Sequence, residues 1–520
     1  MRALQVRALL LAAALAAGVA SATPALAQSR AAGIADPDTR EWWKIAEVLS
    51  SDAMEGRDIG SPGYDRAADV VAQRFKAAGL KAAGDNGTYF QTFPVHEVKV
   101  ESAAFAIVRD SGGTTPLRFL QQISVRPTDV LAPNLVGALT FRGYCRAEDL
   151  TDVKGKVVIC FNTKRAGLTT SGQRLQAAQA AGAAGVVQVD DPYFTIEPPR
   201  WPAAYARMIS IADGSPPADP PVLTAMTTGV EGFRALIEGS GRDANEVLKA
   251  GGAKQPLASF DVPARLTASF KVTARDYITK NVLAVLPGSD PKLRAEHVVL
   301  SAHLDGYGFG EPVDGDALYN GALDDAAYVG TLIRFADKHK GKPLRRSVLL
   351  AAFTGEEKGL LGARWFVDHP TVPKASLVAD INLDQLRPLF PLEIMTQLAV
   401  DESSLGAAAR KIASSMGIRI QPDPEPERGL LARADHYPFM QIGVPATGFI
   451  FGYEPGTEAE RRYREWYQVR YHRPQDDVTQ PMDFEAAGKF NRFFYALAET
   501  VADAAERPTW TAGSIYAPRP

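Results

Sequence analysis

Cysteine is scarce in this chain, two in 520 residues, which excludes a disulfide-stapled mini-domain and any thiolate-rich zinc or iron–sulfur site. A metal here needs His and carboxylate ligands instead. Neither charge is in surplus, with 57 Lys plus Arg against 60 Asp plus Glu. Lacking a basic face or stripe to neutralise phosphates, the chain is not expected to bind nucleic acid. Long apolar runs are missing too, apart from Ala8 to Ala20, which is shorter than the about 20 residues a membrane span requires. Arg2 and Arg7 flank that run and Ala25-Leu26-Ala27 follows it, the pattern of a cleaved export signal. The expectation is a signal peptide over 1–27 and a mature protein with no membrane span, located in the periplasm or outside the cell.

What is present is the composition of a folded soluble protein, 46% hydrophobic and 22% charged, with length for two to four domains. After a linker at 28–40, helical periodicity runs over Glu41 to Ser51 and over Tyr64 to Gly79, the latter opened by Ser61-Pro62-Gly63. From Pro94 to Pro127 short alternating runs broken by Gly and Pro predict strands. A different unit follows: strands over Asn134 to Phe141, Lys156 to Phe161 and Gly185 to Val189, an Ala-rich helix over Gly172 to Ala181, and a Pro-rich stretch at 199–221.

Beyond Asn281 the apolar runs at 281–286, 298–302, 347–353, 377–383 and 446–451 alternate with helical segments at 325–340, 358–368, 404–416 and 483–504. Continuous apolar strands between amphipathic helices predict an α/β fold, a mostly parallel sheet covered on both faces. Such sheets bind ligands beyond the carboxyl ends of their strands. Polar residues gather there in this sequence: His303 after one strand, Thr354-Gly355-Glu356-Glu357 after another, Asp384 after a third.

Five residues have the types and positions for a two-metal site: His303, Asp324, Glu357, Asp384 and His472. Paired hydrolytic metals sit about 3.5–4 Å apart and want a bridging carboxylate, with imidazole and carboxylate on each side. Asp324 is the expected bridge. Asp305 is placed to fix the tautomer of His303, and Asp476 to do the same for His472. Glu356, next to the ligand Glu357, is the expected general base. His96, His297, His339 and His369 lack such context and read as structural; His436 reads as near the site without being a ligand.

His303-Leu304-Asp305, the run from Gly315 to Asp325, Gly355-Glu356-Glu357, Asn382-Leu383-Asp384 and Tyr471-His472-Arg473-Pro474 resemble the zinc aminopeptidase and glutamate carboxypeptidase family of co-catalytic metallopeptidases. Met54-Glu55-Gly56-Arg57 and Gly60-Ser61-Pro62-Gly63 resemble the amino-terminal segment of its bacterial members. The resemblance implies a phosphorylase/zinc-exopeptidase-like α/β/α sandwich and two zinc ions, His303 and Asp384 on one, Glu357 and His472 on the other, with Asp324 shared. An N/O ligand set also accepts other divalent metals. It further implies that Tyr471 helps polarise the substrate carbonyl. Asp152-Val153-Lys154-Gly155-Lys156-Val157-Val158 and the run from Ala181 to Val187 resemble a protease-associated (PA) domain. The expected organisation is therefore 41–129 as the first part of the peptidase domain, a β-rich PA insert at 130–269, the catalytic part at 270–507 and a tail at 508–520.

The chain departs from the family pattern at Ala326-Ala327-Tyr328 and at Gln385 and Arg387, which alter the pocket and leave every ligand in place. The expected function is that of an exported di-zinc exopeptidase acting on peptides, an aminopeptidase first. Carboxypeptidase or dipeptidase action, a single-zinc aminoacyl transferase like the glutaminyl cyclases and a non-catalytic receptor-like protein are the alternatives. Oligomeric state is not legible. Export would permit Cys145 and Cys160 to pair within the insert; two buried thiols are the alternative.

Overall fold

One strand of 27 residues, Phe260–Leu286, ties the two halves of the protein together. The computed structural model describes residues 29–194, 206–214 and 223–518. The expected signal peptide lies outside these residues, as does much of the Pro-rich 199–221 stretch. Along its length the Phe260–Leu286 strand pairs antiparallel with Phe90–Arg109, from Ala264 opposite Arg109 to Val282 opposite Phe90. Its end pairs antiparallel with Ser347–Phe353 and its start with Asn134–Phe141. A single 14-stranded sheet thus passes through both halves.

On one side of this ribbon Ser347–Phe353, His297–His303, Leu377–Asn382 and Ala446–Thr447 run parallel. Their period of two explains the continuous apolar runs. Val298, Leu300 and Ala302 pack with Val348, Leu350 and Ala352 under the helices Pro37–Leu49, Pro62–Ala77, Ala327–Lys338 and Phe484–Asp503. The alternate residues Val299, Leu349, Ala351 and Phe353 face the opposite layer, against Ala363, Phe366, Phe439 and Met440. Helix starts are fixed by side-chain caps: Asp36 accepts from Thr39 N, Ser61 from Tyr64 N and Asp483 from Ala486 N. With Pro37 and Pro62 at the first helical positions, the first two helices begin earlier than their apolar periodicity suggests.

On the other side Asn134–Phe141, Val157–Asn162, Gly185–Asp190 and Thr224–Thr228 run parallel, with Ile123–Val125 antiparallel beyond them. Two differences from the sequence expectation matter. The 446–451 run is split, Ala446–Thr447 joining the large sheet while Phe449–Phe451 pairs with Ile394–Gln397 in a three-stranded sheet, Gly448 lying between them. A hairpin of Gly308–Val313 and Asp316–Tyr319, which no apolar run announces, stands between His303 and Asp324. No helix among the described residues is long and apolar enough to cross a membrane.

Cys145 and Cys160 form a disulfide, their Cα atoms 5.6 Å apart, in a small core with Leu150, Val153, Leu175 and Val186. Unreduced, denatured protein should therefore take up no thiol reagent, and reduced protein should take up two equivalents; full labelling without reductant contradicts the pairing. Closing a loop of this length is worth about 3 kcal/mol in the chain-entropy account, so the double Cys→Ser variant should lose stability of that order in denaturant unfolding.

Candidate metal centre and active site

All the polar residues singled out above sit at one edge of the parallel strands. His303 is the last residue of its strand, Asp384 lies two past the end of Leu377–Asn382, and Glu356 and Glu357 form a turn after Ser347–Phe353. Asp324 lies in an irregular turn, Ala322–Ala326, ahead of the Ala327–Lys338 helix, and His472 follows the Glu458–Val469 helix. Folding brings residues from five separate segments to one point.

At that point Asp324 is shared. Its Oδ1 lies 3.4 Å from His303 Nε2 and its Oδ2 3.5 Å from His472 Nε2, which is also 3.5 Å from Glu357 Oε2. Potential ligand atoms of His303, Asp324 and Asp384 lie within 4.8 Å of one another, and so do those of Asp324, Glu357 and His472. A third grouping at the same separation joins His303, Glu356 and Glu357. These separations exceed good hydrogen-bond distances, and Asp324 Oδ2 and Glu357 Oε1 are buried without any hydrogen-bond partner.

Charge completes the test of whether metal fits. Burial pushes the Glu357 and Asp384 carboxyls up from their usual range, and the nearby Asp324 charge adds to it. Burial likewise pushes Glu356 well up, with Asp384 and Glu357 contributing. Burial works against ionised Asp324 too, yet Arg387, His303 and His472 outweigh it and hold that group below its ordinary value. His303 is held well above the usual imidazole value because Asp325, Asp305 and Asp324 overcome the cost of burying its cation. His472 is held well below it by burial, with Arg433, Arg387 and Arg473 adding to that effect. A buried site with this many acids around two imidazoles fits divalent cations, which bring the missing positive charge, and zinc suits the N/O donors.

The loops carrying these residues are held from beneath. Arg57 is fully buried and donates to four backbone carbonyls: Leu304 at 2.8 Å, Leu49 at 2.9 Å, Asn320 at 2.6 Å and Gly321 at 2.8 Å. Gly321 has φ +59°, and a Cβ there would lie 2.4 Å from the Asp324 carbonyl oxygen, so only glycine lets the chain turn this tightly. His303 Nδ1 lies 3.1 Å from the backbone carbonyl of Asp305, which only accepts, so Nδ1 carries a proton and Nε2 is the nitrogen turned toward Asp324. The Asp305 carboxylate is 3.7 Å from that ring; it accepts instead from Glu356 N at 3.1 Å and Glu357 N at 3.4 Å, fixing the glutamate turn. Asp476 accepts from Leu323 N at 2.9 Å and Gln480 Nε2 at 2.5 Å, so its carboxylate holds the loop of Asp324.

Tyr471 stacks on His472 with ring centroids 3.6 Å apart, and its hydroxyl accepts from Arg433 Nη2 at 3.1 Å. Sequence reasoning missed Tyr307, whose hydroxyl is 3.3 Å from His472 Nε2, and Asp325, whose carboxylate accepts from His303 N at 3.1 Å. Asp325 had a signal in its adjacency to Asp324; Tyr307, in the unannounced hairpin region, had none. His436 is fully buried and its pKa lowered to about 4 by burial, a neutral ring beside Asp435. The remaining histidines have structural partners: His96 lies between Asp276 and Asp129, His297 meets Ser376, His339 meets the Phe335 carbonyl, and His369 stacks on Trp365.

Residues 281–498 match peptidase family M28, and residues 129–216 match the PA domain. Residues 281–498 are thus an M28 peptidase domain and residues 129–216 a PA domain. It is 22% identical over 457 residues to the probable glutamate carboxypeptidase VP8 of Zea mays, covering 79% of this chain and 61% of that protein. Leupeptin-inactivating enzyme 1 of Streptomyces exfoliatus is 22% identical over 311 residues, 57% of this chain and 66% of its own length. The chain thus spans about three fifths to two thirds of these relatives. Among solved structures, an aminopeptidase from Aneurinibacillus sp. strain AM-1 superimposes with a TM-score of 0.61 at 16% identity, covering 93% of this chain and 96% of that one. BSAP, a zinc aminopeptidase from Bacillus subtilis, gives 0.57 at 16% identity over 88% and 94%. At such identity the likeness is one of fold.

The Arg57 clamp generates a test. Arg57→Met strands four buried carbonyls, and each unpaired buried acceptor costs about 1–3 kcal/mol. The variant should melt markedly lower and lose zinc on dialysis, with Arg57→Lys restoring only part of either. Wild-type melting and zinc retention in Arg57→Met contradict the clamp.

Proposed function

We propose that this M28 chain is an exported metallopeptidase that holds two zinc ions and removes residues from the amino termini of peptides. The observation that carries the reading is the sharing of Asp324: one oxygen faces His303 and the other faces His472. In this assignment His303 and Asp384 hold one ion, Glu357 and His472 the other, and Asp324 both. Such a pair polarises the scissile carbonyl and makes water a nucleophile near neutral pH.

Glu356 belongs to neither Asp324-sharing triad, yet an oxygen of it lies within 4.8 Å of the donor atoms of His303 and Glu357. It is assigned to take the proton from the attacking water and pass it to the leaving amine. Asp305 keeps it there through the backbone of the turn. Tyr471 is assigned to polarise the substrate carbonyl, its hydroxyl made a better donor by the hydrogen bond it accepts from Arg433. A cleft of about 370 Å³ opens on Glu357 and Lys358 and is walled by Ser124 to Pro127 and Thr227, and it is assigned as the approach for substrate. Amino-terminal cleavage rests on the likeness to proteins named as aminopeptidases.

Zinc content and turnover on a peptide panel, measured together, test the reading. Two zinc ions per chain, cleavage of peptides with a free amino terminus and resistance of their N-acetylated forms are expected. Cleavage that requires a free carboxy terminus points to carboxypeptidase action, and one zinc with cyclising activity points to an aminoacyl transferase; either result contradicts the proposal. Asp324→Ala should lose both ions, and Glu357→Gln should lose zinc occupancy. Glu356→Gln should keep two ions while turnover falls by roughly 10²–10⁴. Near-normal turnover in fully metallated Glu356→Gln would remove Glu356 from the chemistry.

A further inference from the structure

Arg387 lies inside the metal centre without a part in the chemistry assigned above. It is fully buried, and Nη1 donates to the carbonyls of Leu323 at 2.9 Å and Leu386 at 3.1 Å. Its guanidinium carbon is 4.4 Å from the centre of the Trp466 ring. Two carbonyls and an indole thus fix the position of a group that stays charged at any pH the protein meets. Nε and Nη2 have no hydrogen-bond partner, and Nη2 lies 3.4 Å from Asp324 Oδ2. That is the oxygen that faces His472 at 3.5 Å. The guanidinium and an ion held by His472 and Glu357 therefore address the same oxygen.

The two halves of the centre also differ in surrounding charge. His303 has only acids about it, Asp324, Asp325, Asp305 and Glu356, whereas His472 has Arg433, Arg387 and Arg473 about it besides the carboxylates of Asp324 and Glu357. Arg387 lies within electrostatic reach of Asp384 and Asp476 as well, but its closest carboxylate contact is Asp324 Oδ2. A fixed unit charge about 5 Å from a divalent ion weakens binding by roughly tenfold or more even at the dielectric of water.

We propose that Arg387 makes the two metal positions unequal, competing for Asp324 Oδ2 so that the His303–Asp324–Asp384 position fills first and the Asp324–Glu357–His472 position stays weak. This rests on the two-zinc reading and goes beyond it. The protein then keeps one zinc when free zinc is low and completes its centre only as zinc rises, so that peptidase activity follows the zinc supply around it. Arg387 is a positioning residue here, since it acts through Asp324.

The test is a titration of zinc-free full chain with Zn²⁺ in competition with a chromogenic chelator. The wild type should show two classes of site at least about tenfold apart. Arg387→Met keeps the side-chain volume and the contact with Trp466, and should tighten the weaker class by roughly tenfold while leaving the stronger nearly unchanged. Arg387→Lys keeps the charge and should keep the weak class weak; should the Met variant not fold, Arg387→Gln takes its place in the comparison. His472→Ala should abolish the weak class and His303→Ala the strong one. Equal affinities in the wild type, or an Arg387→Met protein whose two constants match the wild type or fall together, overturn the proposal. A wild-type chain that binds fewer than two zinc ions at saturation overturns the two-zinc reading itself.

Discussion

The metal centre depends on a buried guanidinium that never touches it. Arg57 gathers the carbonyls of Leu49, Leu304, Asn320 and Gly321 onto one planar donor group. These lie at the end of the Pro37–Leu49 helix, after the His303 strand and before the Asp324 turn, three separate segments of which the first is far from the others in the chain. A guanidinium is suited to this because its five donors are pre-organised in one plane. Upon that clamp Asp305 fixes the glutamate turn through its backbone amides, and Asp476 fixes the Leu323 amide. The proposed ligands can then sit at strand ends and on loops and still converge, because these segments are tied to one another by buried hydrogen bonds whose loss is expensive.

The strand framework was legible in the sequence for a physical reason. Strands buried on both faces are nearly continuous in apolar residues; Val348 to Phe353 is apolar throughout, and Val298 to Ala302 is broken by Ser301 alone. The acids and histidines at the ends of those strands were legible because they interrupt such runs. Less legible were features that depend on distant partners. No local pattern says that Arg57 will reach Leu304, or that Asp305 will serve the amides of Glu356 and Glu357 in preference to the neighbouring imidazole. The Gly308–Val313 and Asp316–Tyr319 hairpin is short and polar, so it brings Tyr307 to His472 without any periodic signal. At 446–451 the apolar run is continuous, and the change of sheet at Gly448 follows from tertiary packing.

The PA domain is joined to the centre by more than its two connections. The Phe90–Arg109 and Phe260–Leu286 strands form one ribbon through both halves. Arg207 adds a charged tie, bridging Asp58 near the catalytic loops to Glu97 on the ribbon. The 370 Å³ cleft takes one wall from Ser124 to Pro127 and Thr227 and includes Glu357 and Lys358 in its lining, so both halves of the sheet contribute to it.

The central claim is that Asp324 is held in common by two metal positions. Anomalous diffraction at the zinc absorption edge, on crystals grown with saturating zinc, tests it most directly. Two peaks about 3.5–4 Å apart are expected, one within bonding distance of His303 and Asp384, the other of His472 and Glu357, with one oxygen of Asp324 on each. A single peak, or two peaks of which only one contacts Asp324, would contradict it.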